Sequence, residues 1–98
     1  MSLAHEFRPA ANADVVDAYH WYEAQQPGRG DEFLVELQER VAAICASPTS
    51  YGRVRGQMRA APFQHSRYIL YYRVDTSLVV ILAVQDERAD PRRWQGRR

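Results

Sequence analysis

The sequence predicts an α+β fold, with an antiparallel helix hairpin packed on a small antiparallel sheet in the order β-α-α-β-β-β. Three observations predict it. Residues 10–26 and 32–46 carry apolar side chains at three- and four-residue intervals, the period of an amphipathic helix. The runs Tyr68 to Val74 and Leu78 to Val84 are instead rich in aromatic and β-branched residues, as strands are. The connections within each pair are a few residues long, so the helices are neighbours and the strands form a hairpin.

His5-Glu6-Phe7-Arg8 alternates and reads as a brief strand. Pro9 then suits a first helical turn, where its missing N–H costs nothing. Val15, Ala18, Tyr19 and Tyr22 form the apolar face of the first helix, and Pro27-Gly28 stops it. Gly30 or Asp31 is the expected N-cap of the second helix. Its stripe is Leu34, Leu37, Val41 and Ile44, with Phe33 beside it, and Ser47-Pro48 ends it. Tyr51 to Gly56 reads as a loop. Gln57 to Phe63 is weakly strand-like, with Pro62 suited to an edge. Tyr68 to Val74 follows as a strand, then the connection Asp75-Thr76-Ser77, then an uninterrupted apolar strand of the kind covered on both faces. Alternation puts Tyr68, Leu70, Tyr72 and Val74 on the helix side, and Ile69, Tyr71 and Arg73 on the other.

A chain of 98 residues is expected to form one domain over its whole length, with a small core. Its longest apolar run, Leu78 to Val84, is far short of a membrane span, so no membrane association is expected. No signal peptide is read at the start. The single cysteine, Cys45, leaves no internal disulfide and no thiolate-rich zinc site. A cytoplasmic protein is the expectation.

Charge is divided unevenly. Residues 1–52 carry three arginines against eight carboxylates, and residues 53–98 carry ten against four. The second half therefore suits an anionic partner, either nucleic acid or an acidic peptide, unless the two halves neutralise each other in the fold. His5, His20 and His65 have no metal-pair spacing, and Cys45 lies in an apolar stripe with no neighbouring base. No phosphate-binding glycine loop or nucleophile-elbow pattern occurs. Asp14, Asp17, Glu36 and Glu39 read as solvated helix faces. No cofactor or metal is expected. The set with chemical interest is Arg59, Arg67, Tyr71, Arg73, Arg88, Arg92, Arg93 and Trp94, because guanidinium with aromatic rings suits phosphates and bases or an acidic segment.

Ala18-Tyr19-His20-Trp21-Tyr22-Glu23, the Pro27-Gly28-Arg29-Gly30 turn, Phe33-Leu34 and Ser47-Pro48 resemble the first half of RelE/ParE toxins. Tyr68 to Val74, Val80-Ile81-Leu82-Ala83-Val84 and Asp90-Pro91-Arg92-Arg93-Trp94 resemble that family's closing hairpin and tail. The resemblance covers nearly the whole chain in matching order. It implies the toxin of a type II toxin–antitoxin, or plasmid-stabilisation, system. The implied partner is a small ParD/RelB-like antitoxin, encoded beside the toxin and able to form a hetero-oligomer with it.

The resemblance also implies a choice of mechanism. RelE-like members cleave mRNA on the ribosome with basic residues on the sheet; ParE-like members poison DNA gyrase. The places that hold RelE's basic residues here hold Ala60, Pro62, Ile69 and Glu87, with Arg88 one residue on, and the tail aromatic is Trp94. The His-x-Arg-Arg-Asp-Pro pattern of many members reads Asp86-Glu87-Arg88-Ala89-Asp90-Pro91. These substitutions favour a ParE-like topoisomerase inhibitor, with the mRNA endonuclease, or an inactive antitoxin-binding module, as alternatives.

Trp21, offset from the Val15/Tyr22 stripe, is the expected antitoxin anchor, and the tail is the expected target surface. Two readings are open for Trp94: effector residue, or late core residue folded back on the sheet. Removal of Gln95 to Arg98 is expected to leave the domain folded.

Overall fold

A computed structural model describes residues 2–98. Strand β1 (Ala4–Phe7) leads into helices α1 (Pro9–Gln25) and α2 (Arg29–Ala46). Strands β2 (Arg53–Arg55), β3 (Met58–Pro62), β4 (Tyr68–Asp75) and β5 (Leu78–Asp86) follow, then a 3₁₀ turn at Pro91–Arg93. The helix hairpin covers one face of the sheet, as expected. The sheet is larger than the expected meander: its order is β1-β5-β4-β3-β2, with β1 parallel to β5 and every other pair antiparallel. Residues read as loop supply β2. Arg53, Val54 and Arg55 are all exposed, so no alternation of burial marked them as a strand. Gly56, at φ 56°, turns β2 into β3.

The second helix begins three residues earlier than expected, and its cap is neither Gly30 nor Asp31. Gly28, at φ 94°, is the N-cap. The carboxylate of Glu23, on α1, accepts the Gly28 and Gly30 amides at 2.9 and 2.8 Å. Two charge-assisted bonds from the neighbouring helix thus satisfy the N-cap amide and a first-turn amide of α2. Gly30 permits the close crossing: a Cβ there would lie 2.6 Å from the Glu23 side chain and 2.8 Å from the Tyr19 ring.

The alternation of β4 is as read from the sequence. Leu70 and Tyr72 pack against Phe33, Leu37, Val41 and Ile44 of α2, with Tyr68 and Val74 at the margin. Phe33 stacks between Tyr22 and Phe63, with ring centroids 5.4 Å away on each side. Tyr71 faces the other way, into a second cluster with Met58, Val80, Leu82, Ala83 and Trp94. Strand β5 is buried on both faces, which explains its uninterrupted apolar run.

The β4–β5 ladder slips by one residue: Tyr71 faces Ala83 but Tyr72 faces Ile81. The extra residue, Leu82, makes a bulge. Leu82 and Ala83 both join the second cluster, while Val84 joins the helix-side core.

Candidate functional site

The residues singled out in the sequence divide among three places. Arg59 lies on the helix side of β3, and its guanidinium donates to the Tyr51 carbonyl at 2.6 Å. It pins the loop after α2, which the Tyr72 hydroxyl also holds by donating to the Pro48 carbonyl at 2.6 Å. Tyr71, Arg73 and Trp94 lie on the opposite side. The Tyr71 and Trp94 rings are stacked, with centroids 3.8 Å apart and planes inclined by 19°. Trp94 is 8% exposed, so the tail folds back onto the sheet and covers it. Arg67, Arg88, Arg92 and Arg93 gather at the end of β5 and on the turn after it, all exposed.

Several of these arginines are already paired within the chain. Arg73 makes two bonds of 3.0 Å to the Asp75 carboxylate. Arg88 grips Asp86 at 3.1 Å through two nitrogens, and Arg92 reaches Asp90 at 2.6 Å. These hydrogen bonds hold the carboxyls of Asp75, Asp86 and Asp90 below the ordinary range. Among the described residues, Arg67 and Arg93 have no carboxylate within ion-pair distance.

Two of the four helix carboxylates are not solvated. Asp14 is buried: it accepts the Val84 amide at 3.0 Å and pairs with Arg97 at 2.5 Å. Glu36 is buried and accepts the Gln64 and His65 amides at 2.6 and 2.8 Å. Asp17 and Glu39 are exposed, as expected. A signal for the buried pair was present in the helix period. Asp14 lies between Ala11 and Ala18 on one face, and Glu36 follows Phe33 by three residues. Arg97 had no such signal. Burial pushes the Cys45 thiol up, away from a reactive thiolate. His5, His20 and His65 are exposed, and no group of metal-ligating side chains forms among the described residues.

The sheet face turned away from the helices is where the resemblance to RelE-like toxins leads us to expect basic residues. Here Ala60 and Ile69 pack against the cluster of Met58, Leu82 and Trp94. The Tyr71 hydroxyl is the titratable group of that cluster, and burial pushes it up.

A cleft of about 200 Å³ opens between the outer half of α1 and the turn after β5. Asp17 and Trp21 line it from α1, Tyr68 and Asp86 from the sheet, and Arg93 from the 3₁₀ turn. Trp21 is 53% exposed. The expected antitoxin anchor and one expected target contact therefore share a single cleft.

Fold and surface together define a small α+β protein with a helix hairpin on one face of its sheet and its own tail on the other. The family model for the ParE toxin of type II toxin–antitoxin systems, parDE, matches residues 6–91, and the chain belongs to that family. No curated protein matches the sequence. A chain of the chromosomal ParDE toxin–antitoxin system from P. aeruginosa superposes with a TM-score of 0.75 at 17% identity, over 87% of this chain and 96% of that one. A chain of the RelBE2 toxin–antitoxin complex from Mycobacterium tuberculosis superposes with a TM-score of 0.58 at 21% identity, over 88% of this chain and 99% of that one. At these identities the two likenesses establish the shared fold. No helix is long and apolar enough to cross a membrane among the described residues.

Proposed function

We propose that residues 1–98 form one toxin domain that inhibits growth in the cytoplasm by binding a topoisomerase such as DNA gyrase, and that a cognate ParD-like antitoxin neutralises it. Membership of the ParE toxin family supports the toxin role. The observation that carries the mechanism is the Trp94–Tyr71 stack. It fills, with apolar and aromatic side chains, the sheet face on which an RNA-cleaving relative would set out its proton-exchanging groups. Cleavage through a ribose 2′-OH needs a base, an acid and charge stabilisation at the phosphate. Ala60, Ile69 and Trp94 supply none of these, and Arg73 is engaged by Asp75. Binding without bond cleavage needs no such groups.

The test is made on the purified chain. Gyrase-catalysed supercoiling of relaxed plasmid is expected to fall as the chain is added, and to recover when the product of the adjacent reading frame is supplied. Unaffected supercoiling, together with mRNA fragments from translating ribosomes that vanish in Arg73→Ala or Arg88→Ala, would replace this reading with the endonuclease.

A further inference from the structure

We propose that the cleft between Trp21 and Arg93 is the docking site of an antitoxin peptide segment. That segment would lay an apolar side chain on Trp21, bring a carboxylate to Arg93 and bring a cation to Asp17. This inference rests on the reading of the chain as a toxin held by an antitoxin. Three observations point to a peptide of that chemistry.

Trp21 leaves about half its surface in water, although Ala18, one turn before it, is buried in the core and Tyr22, beside it, packs against that core. Tryptophan is enriched among the residues that carry most of the binding energy at protein interfaces. Asp17 stands one helical turn before Trp21, on the same face of α1.

The second observation is charge. Of the ionisable groups lining the cleft, Asp14 is taken by Arg97 and Asp86 by Arg88. Asp17 and Arg93 are left without an opposite charge among the described residues, one on each wall. A polyanion entering here would meet Arg93 but also the carboxylates of Asp17 and Asp86. A peptide with one acid and one base answers both walls. The cleft therefore favours a polypeptide over a nucleic acid strand.

The third is a backbone donor at its edge. The Glu87 amide donates to the Arg67 carbonyl at 2.6 Å, which makes Tyr68 and Asp86 a non-hydrogen-bonded pair. The Asp86 amide therefore points away from β4. Strand β1 ends at Phe7, opposite Ile81, so no strand covers β5 at that height. An extended segment lying in the cleft has a main-chain carbonyl to offer this amide.

Arg93 belongs to the tail, so a segment seated here shields part of the surface on which a target would act. Neutralisation would then come from direct cover of the tail.

The experiment uses the full chain and the product of the adjacent reading frame. In a Trp94→Phe background, Trp21 is the remaining tryptophan and its fluorescence reports the cleft alone. Complex formation is expected to shift its emission to the blue and to slow exchange of the Asp86 amide. Arg93→Glu and Asp17→Lys are each expected to weaken the complex roughly tenfold or more. Arg53→Glu, on the far edge strand, is expected to change it less than about twofold. A complex in which Trp21 stays in water, or in which Arg53→Glu matches Arg93→Glu, overturns the docking site alone. Absence of any complex overturns the antitoxin reading as well. An oligothymidylate that blue-shifts Trp21 would assign the cleft to nucleic acid instead. If Trp94→Phe unfolds the chain, Asp86 amide exchange in the unsubstituted protein decides the same question.

Discussion

Asp14, in the first half of α1, pairs with Arg97, the next-to-last residue, at 2.5 Å. The two also finish the edge of β5 beyond the end of β1. Asp14 accepts the Val84 amide at 3.0 Å, and Arg97 donates to the Leu82 carbonyl at 3.1 Å. An acid and a base thus take the places that a neighbouring strand's carbonyl and amide would occupy. They do so at the bulge, where the ladder is interrupted and main-chain groups would otherwise be buried unpaired.

Asp14→Ala is therefore expected to cost about 3 kcal/mol, since it strands both a buried amide and a guanidinium. Arg97→Ala is expected to cost somewhat less, because Arg97 keeps a fifth of its side chain in water. Denaturant unfolding checks both. The same contact adds a cost to the expected folding of a chain without residues 95–98: their removal should destabilise it about as much as Arg97→Ala.

Trp94 and the tail arginines should separate by stability. Trp94→Ala opens a void over Tyr71 and is expected to cost roughly 3 kcal/mol. Arg92→Ala and Arg93→Ala touch only solvated groups, and each should stay within about 0.5 kcal/mol of the parent. Thermal melts run beside growth assays distinguish a variant that has lost its fold from one that has lost its target.

Trp21→Ala removes a ring that the core does not need. The melting temperature is expected to hold, while antitoxin affinity falls by roughly 1–3 kcal/mol, the range for an interfacial aromatic anchor. Calorimetry with an unchanged affinity would remove Trp21 from the interface.

Alkaline pH should weaken the fold. Burial pushes the phenols of Tyr68, Tyr71 and Tyr72 up. The unfolded chain therefore ionises first, near pH 10. The stability these groups contribute is complete below that value, and it is lost as pH rises through their higher folded values. Phenolate absorbance from these three residues is expected to appear at higher pH in the native protein than in denaturant. Tyr71→Phe should remove one of the late phenols.

The elements readable from the sequence were those whose signals are local. The stripe Leu37-Val41-Ile44 repeats every three or four residues, and the alternation from Tyr68 to Val74 repeats every two. Either pattern holds whatever the helix or strand packs against. Strand β2 escaped because exposure on every residue leaves no period to read. The early start of α2 escaped because the carboxylate that accepts its first amides, Glu23, belongs to the preceding helix. The family resemblance supplied the toxin class, while the placing of Trp94 on Tyr71 needed the fold.

The sequence by itself determined the two-helix hairpin, the β4–β5 hairpin, the face on which each residue of β4 lies and the basic second half. Each follows from a period or a count that neighbouring residues carry. Only the tertiary structure decided that β1 runs parallel to β5, that Asp14 and Glu36 are buried acceptors, and that Trp21 and Arg93 share a cleft. Those depend on contacts across up to 83 residues. A carboxylate facing water and one facing a main-chain amide have the same side chain, and what separates them is the strand edge brought opposite by folding.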